Sequence, residues 1–366
     1  MNGQSIAARL RALLLALPLA AVSVTLGGCD QEWVDSTCEK VVFDSAAHAY
    51  TAVRSVRTDP VDPASAELPV EWTERIQSDG SGRIAVTLLT RNGLARDATS
   101  DPAALAAFDR LAAQLVTGGG HRAFFQRDPL PDDLDRMVAN YWVTIVELVR
   151  KPVTARGEPA LTYLIEPLAA DRPSYLLTAS TKAGREGFPL ACEEHVTLAD
   201  GSMRCVSRME VTSLAWGAPS DFVPNPQPVV KRTALATLEA ARNRAAAEGL
   251  DLLLPRDDAL PPGFELIVVE EVVMTSTANL ARVERPVTLW RFVYSDGVEH
   301  IDFIEHAPLE TMPQEFADNP LFEVAFVTRF GPIASASLLH RGTQITVESR
   351  ISTERFTSLL QSLVRL

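Results

Sequence analysis

Residues 141–150 read Tyr141-Trp142-Val143-Thr144-Ile145-Val146-Glu147-Leu148-Val149-Arg150, a run of aromatic and β-branched side chains with a period of two. That composition and period predict a strand. Trp142, Val146 and Leu148 then point one way, and Tyr141, Val143 and Ile145 point the other. An antiparallel sheet ordinarily turns one face to water, so a strand apolar on both sides predicts a sheet covered on both. Helices can cover one side. The other can be closed by a second domain, by curvature around a cavity, or by a lipid or peptide ligand, with ordinary core filling as the plain alternative. Leu161–Pro167 supplies the partner strand.

Outward from this strand, Val70–Gln77 and Arg83–Thr90 flank Asp79-Gly80, and Phe188–Thr197 and Met203–Leu214 flank Asp200-Gly201. Both pairs read as hairpins closed at dipeptides that tolerate positive φ. Ser36 and Glu39 have capping-box spacing and open a short helix toward Tyr50. A longer helix is predicted over Ser100–Val116, with Ser100 as N-cap, Pro102 in the first turn, and Leu105, Phe108, Leu111, Ala112 and Leu115 on one side. Gly118 ends it, and a short helix near Asp132–Ala139 follows.

Pro219, Pro224, Pro226 and Pro228 crowd a stretch without apolar periodicity, which reads as a linker. Beyond it, an alanine-rich helix is predicted over Lys231–Glu248. Strands are expected at Phe264–Met274, Val287–Tyr294, Val298–Ile304, Phe322–Phe330, Ile333–Leu339 and Gln344–Ile351. A last helix after Ser352 carries Phe356, Leu359, Leu360 and Leu363 at helical spacing. Helices at both ends of antiparallel strands make this half α+β.

Of the 366 residues, 46% are hydrophobic and 22% charged, which excludes a disordered or fibrous chain. Lys plus Arg number 34 against 47 Asp plus Glu, a net charge of -13, and this argues against a nucleic-acid partner. Arg9 and Arg11 precede an apolar stretch from Ala12 to Leu26, followed by Gly27, Gly28 and Cys29. A basic start, an apolar run and small residues read as a secretory signal peptide. Leu26-Gly27-Gly28-Cys29 looks like a bacterial lipobox, which makes Cys29 the lipidated first residue of the mature chain. Several acyl chains, at about 0.8 kcal/mol per buried methylene, anchor stably where one does not. The expected plan is a signal peptide over 1–28, a first domain over 29–217, a linker over 218–230 and a second domain over 231–366, on the periplasmic side of a bacterial membrane.

Cys38, Cys192 and Cys205 remain for an oxidising compartment. With Asp200 and Gly201 as central turn residues, Cys205 faces Val196 and Cys192 faces Met209. The two cysteines then share a face but stand roughly 13 Å apart, where a disulfide needs Cα atoms within about 7 Å. A bond between them needs a longer loop or a slipped register, and a bond from Cys38 to either is equally open.

Catalysis finds little support: the sequence holds no nucleophile elbow, phosphate loop or paired helical histidines for zinc. Asp132-Asp133, Glu193-Glu194, Asp257-Asp258 and Glu270-Glu271 are adjacent carboxylates, and on a strand neighbours point to opposite faces, which makes no acid/base pair. His300, Asp302 and His306 share a face, but the two histidines lie roughly 20 Å apart at strand rise. Gly118-Gly119-Gly120 before His121 follows a helix instead of opening one. Neither a metal site nor a cofactor is expected.

Pro261-Pro262-Gly263-Phe264-Glu265-Leu266, then Phe292-Val293-Tyr294-Ser295-Asp296-Gly297-Val298, then Phe303-Ile304-Glu305, resembles the C-terminal domain of RseB/MucB-type periplasmic regulators. Leu161–Pro167, Pro173-Ser174-Tyr175, Gly187-Phe188-Pro189-Leu190, the Asp200-Gly201 hairpin and Met209–Leu214 look like the LolA-like half-barrel that those regulators share with lipoprotein carriers. The resemblance implies an α+β chain, a LolA-like antiparallel half-barrel with helices followed by a smaller α+β domain. It further implies a concave apolar face that binds acyl chains or a lipoprotein or outer-membrane-protein segment. The second domain would help grip the periplasmic domain of an anti-sigma factor in sigma-E envelope-stress signalling. A lipoprotein or lipid carrier of the LolA/LolB type is the alternative. Trp72, Val86, Leu88, Trp142, Val146, Leu148, Tyr163 and Ile165 are the candidates for lining the ligand cavity.

Overall fold

The computed structural model describes residues 47–62, 68–117, 132–146, 153–155, 157–198, 200–224, 230–276, 282–308, 327–330, 332–340 and 342–365. The lipobox, the helix expected from Ser36, Cys38, Leu148 and the glycine run at 118–120 lie outside them.

The first half runs β1 (Ala49–Thr58), β2 (Val70–Asp79), β3 (Ile84–Arg91), β4 (Leu94–Ala95), α1 (Pro102–Thr117), α2 (Asp133–Asn140), β5 (Tyr141–Ile145), β6 (Val153–Ala155), β7 (Glu158–Pro167), β8 (Ser174–Ser180), β9 (Pro189–Thr197) and β10 (Met203–Trp216). Among the described residues these strands form a ten-stranded antiparallel sheet in the order β4-β3-β2-β1-β10-β9-β8-β7-β5, with β6 beside β7. Tyr50 belongs to a strand, not to a helix. β1 hides its nature because its inward side chains are Tyr50, Ala52, Arg54, Val56 and Thr58, a buried row interrupted by a charge. Glu74 on β2 pairs with Arg54 and also accepts the Trp72 indole N–H at 3.2 Å. Helix α1 starts one residue later than the spacing predicts, because Asp101 and not Ser100 accepts the amide of Ala103, at 3.1 Å. Its Phe108 and Leu111 pack on Val56, Trp72 and Leu88.

The second half runs β11 (Val230–Ala234), α3 (Leu238–Ala247), β12 (Leu253–Leu254), β13 (Glu265–Ser276), β14 (Arg282–Ser295), β15 (His300–His306), β16 (Val327–Phe330), β17 (Ile333–His340), β18 (Thr343–Ser349), α4 (Thr353–Gln361) and β19 (Val364–Arg365). Its sheet has the order β11-β13-β14-β15-β18-β17-β16, and β12 pairs with β19. The alanine-rich helix begins later than expected. Val230–Ala234 instead pairs with β13, Arg232 reaches Glu270 at 2.9 Å, and Thr237 caps the helix by accepting the Ala240 amide. Helix α4 follows Ser352 as predicted, and Ser352 caps it by accepting the Arg355 amide. Ala241 and Ala245 of α3 and Phe356 and Leu359 of α4 close a core with Trp290, Phe292 and Phe303.

Strand β5 alternates in the ordinary way. Tyr141 and Val143 are buried, while Trp142 is 66% exposed, so the sheet turns an outer face to water there. The β9–β10 hairpin has a bulge between Cys205 and Ser207. Met209 faces Cys192 as expected, but Cys205 faces His195 and shares a face with it, not with Cys192. Both cysteines are free thiols.

Candidate functional site at the seam between the two sheets

The turn after β14 enters the first half of the molecule. Asp296 is buried and accepts the Tyr141 hydroxyl at 2.8 Å, Arg172 Nη1 at 2.7 Å, and the backbone amides of Val298 and Glu299 at 2.9 and 2.7 Å. Asn140, at the end of α2, donates to the Asp296 carbonyl at 3.1 Å. Ser295 donates to Asp133 at the start of α2, at 2.7 Å. Gly297 adopts φ +98°, and a β-carbon there would run into the α2 backbone at Met137, so only glycine fits. Val298 continues into the apolar cluster of Met137, Tyr141, Val143, Tyr163 and Ile165.

A second set of contacts widens the seam. Tyr175 donates its hydroxyl to Glu299, and Arg350 Nη1 donates to Glu194 Oε2 at 2.9 Å. The Ser352 amide donates to the Asp171 carbonyl at 3.2 Å, and Arg172 stacks over the Phe264 ring at 5.0 Å. Burial pushes the Asp296 carboxyl up to about 6 against the pull of Arg172. Burial pushes Glu194 up to about 7 against the pull of Arg350. Ionising either one inside the seam therefore costs free energy that its arginine only partly offsets.

Two spaces open along this seam. One, about 40 Å³, lies between Trp72, Cys192, Glu194 and Met209 on the inner face and Ile333 and Arg350 opposite. A single water needs about 10–15 Å³ of such space, so the pocket holds a few waters and not an acyl chain as the sheets now stand. The other, about 650 Å³, is a cleft open to solvent between Asp171, Arg172 and Val196 on one wall and Arg350, Ser352 and Arg355 on the other. That volume lies within the range of small-ligand sites, and its lining mixes charges and hydroxyls with Val61, Val196, Leu198 and Ile351.

The eight cavity candidates do not share one wall. Trp72 and Leu88 lie together under α1, Tyr163 and Ile165 lie in the cluster that receives Val298, and Val86 packs with Tyr50 and Phe188. Trp142 is on the outer face, and Val146 follows β5 partly buried. Sequence reasoning did not find Asp296, Arg172, Glu194 or Arg350, although Asp296 stands in the motif that carries the family resemblance. Glu193 and Glu194 point to opposite faces, as adjacency on a strand requires. Asp302 binds Arg291 at 3.0 Å, His306 binds the Ala307 carbonyl, and His300 Nε2 lies 3.7 Å from Asp133.

No family model and no curated protein matches the sequence. Solved structures do. MucB aligns at TM-score 0.46 and 15% identity over 92% of this chain and 99% of its own. The MucA/MucB complex of Pseudomonas aeruginosa aligns at 0.42 and 15%, over 91% of this chain and 98% of that one. MucB in complex with MucA(peri) gives 0.41 and 15%, over the same shares. The chain resembles MucB over nearly its whole length. Among the described residues no helix is long and apolar enough to cross a membrane.

Proposed function

We propose that the chain is a non-catalytic envelope protein, anchored through lipid on Cys29, that binds a hydrophobic ligand or a partner protein as regulators of sigma-E/anti-sigma signalling do. The observation that carries this reading is the seam. Two sheets with separate cores meet through directional, buried polar bonds around Asp296 and Glu194, beside a cleft of about 650 Å³. Such a joint has a defined closed state, and a ligand that prefers the open state shifts it by its differential affinity. The mixed lining of the cleft, with Arg172, Arg350 and Arg355 beside Val196, Leu198 and Ile351, suits an extended peptide, while an acyl chain on the inner face needs that face uncovered.

The test is capture of the periplasmic segment of an anti-sigma factor by the purified mature protein, with lipid extracts of the same preparation read by mass spectrometry. Recovery of the segment or of bound acyl chains supports the proposal, and recovery of neither overturns it. Replacing Cys29 by Ala is expected to move the protein from the membrane to the soluble fraction. The carrier reading draws on α1, which lies over Trp72 and Leu88 where a lid would lie. It requires transfer of a lipoprotein between membranes, and binding without transfer excludes it.

A further inference from the structure

The outer face of the first sheet carries a cluster that the seam does not use. Glu193 and His195 are two residues apart on β9 and therefore share a face. Cys205 on β10 would point inward if the alternation from Met209 continued, but the bulge at Val206 places it opposite His195. One ligand atom from each of the three lies within 4.8 Å of the others, and His195 Nε2 stands 3.1 Å from Glu193 Oε2.

We propose that Glu193, His195 and Cys205 form a binding site for a zinc-class transition-metal ion, with a fourth position left to water. The tetrahedral edges of such a centre are about 3.3–3.7 Å, given bonds of about 2.0–2.3 Å, so small rotamer changes bring the three atoms to its corners. The donor set selects the ion. A thiolate and an imidazole favour zinc and its neighbours over calcium or magnesium, which take oxygen ligands. Binding replaces the Cys205 S–H bond with a sulfur–metal bond and releases the proton to solvent. The doubly charged ion, the thiolate and the carboxylate then sum to zero.

Arg208 now occupies the vicinity, with Nε donating to Cys205 Sγ at 3.3 Å and lying 3.5 Å from Glu193 Oε1. Its side chain is 61% exposed and swings to solvent when the ion takes its place. The ion would clamp β9 to β10 across the bulge, and the same segment of β9 carries Glu194 into the seam. Side chains that share no motif and are brought together by a bulge escape a spacing search.

The experiment is an anaerobic cobalt(II) titration of the reduced mature protein. One equivalent is expected to give tetrahedral visible bands and a thiolate-to-cobalt charge-transfer band, both abolished when zinc is added. Cys205→Ser should remove the charge-transfer band. His195→Ala should raise the Kd by more than about 100-fold, since loss of an outer-shell partner alone costs 10–100-fold. Cys38→Ser should leave both bands in place, and circular dichroism of each variant checks that the sheet has formed. The proposal is overturned by absent bands, by bands that survive Cys205→Ser in a folded protein, or by a Cys38–Cys205 disulfide in non-reduced peptide maps.

Discussion

Trp290, Phe292 and Phe303 fill the core of the second sheet with hydrocarbon, whereas the seam that begins a few residues further along the chain is held by Asp296, Arg172, Glu194 and Arg350. Phe303 and Asp296 are both fully buried. Hydrocarbon packing is non-directional and scales with the apolar area removed from water. A buried ion pair roughly breaks even against a hydrophobic pair of the same shape, so its contribution is orientation and a defined mate more than net stability. The second sheet therefore holds itself together, and the seam decides how the two sheets stand to one another.

The largest effect is expected in the core. Phe303→Ala should cost about 3–5 kcal/mol and unfold the second sheet at markedly lower urea, read from its denaturation midpoint. Asp296→Ala should cost about 3 kcal/mol, because it leaves Arg172 and the Tyr141 hydroxyl buried without their shared acceptor. Its signature differs: far-ultraviolet circular dichroism should keep both sheets while small-angle scattering shows a larger radius of gyration. A radius unchanged by Asp296→Ala would mean that the seam is not a separable joint.

The sequence made the hairpins legible because Asp79-Gly80 and Asp200-Gly201 are local signals that tertiary context had no reason to override. It hid β1, where Arg54 takes an inward position that a binary pattern reserves for an apolar residue, paired there with the buried Glu74. Almost none of the seam was legible. Asp296 reads as a turn residue, and its partners Arg172 and Tyr141 lie 124 and 155 residues away. Cys205 was placed on the wrong face because a bulge leaves no trace in the alternation of MRCVSRMEV.

A pH series separates the two regions further. Glu305 is buried in the second core, accepts the Leu253 amide at 2.9 Å, and burial pushes its carboxyl up to about 8. The folded state then holds a proton that the unfolded chain releases above its ordinary carboxyl range. This stabilisation is full below about pH 4.5 and is lost as pH rises toward 8. The loss between pH 5 and 8 should reach about 2–3 kcal/mol, and Glu305→Gln should flatten it. In the seam the same sign holds, with docking weakening as pH rises through about 6 for Asp296 and about 7 for Glu194. Scattering should therefore report opening between about pH 5 and 7, before stability of the second core has fallen fully.

The smallest effect sharpens the contrast within one sheet, because two tryptophans occupy its two faces. Trp72 is buried under α1 with its indole N–H on Glu74, and truncating it to Ala should cost about 3–5 kcal/mol. Trp142 has the same side chain but stands 66% exposed on the outer face, opposite Glu166 of β7. Its truncation removes little surface that folding had taken from water, so Trp142→Ala should change stability by less than about 0.5 kcal/mol. If denaturation shows a loss of several kcal/mol instead, the outer face is covered in solution, and the sheet is closed on both sides as its sequence leads one to expect.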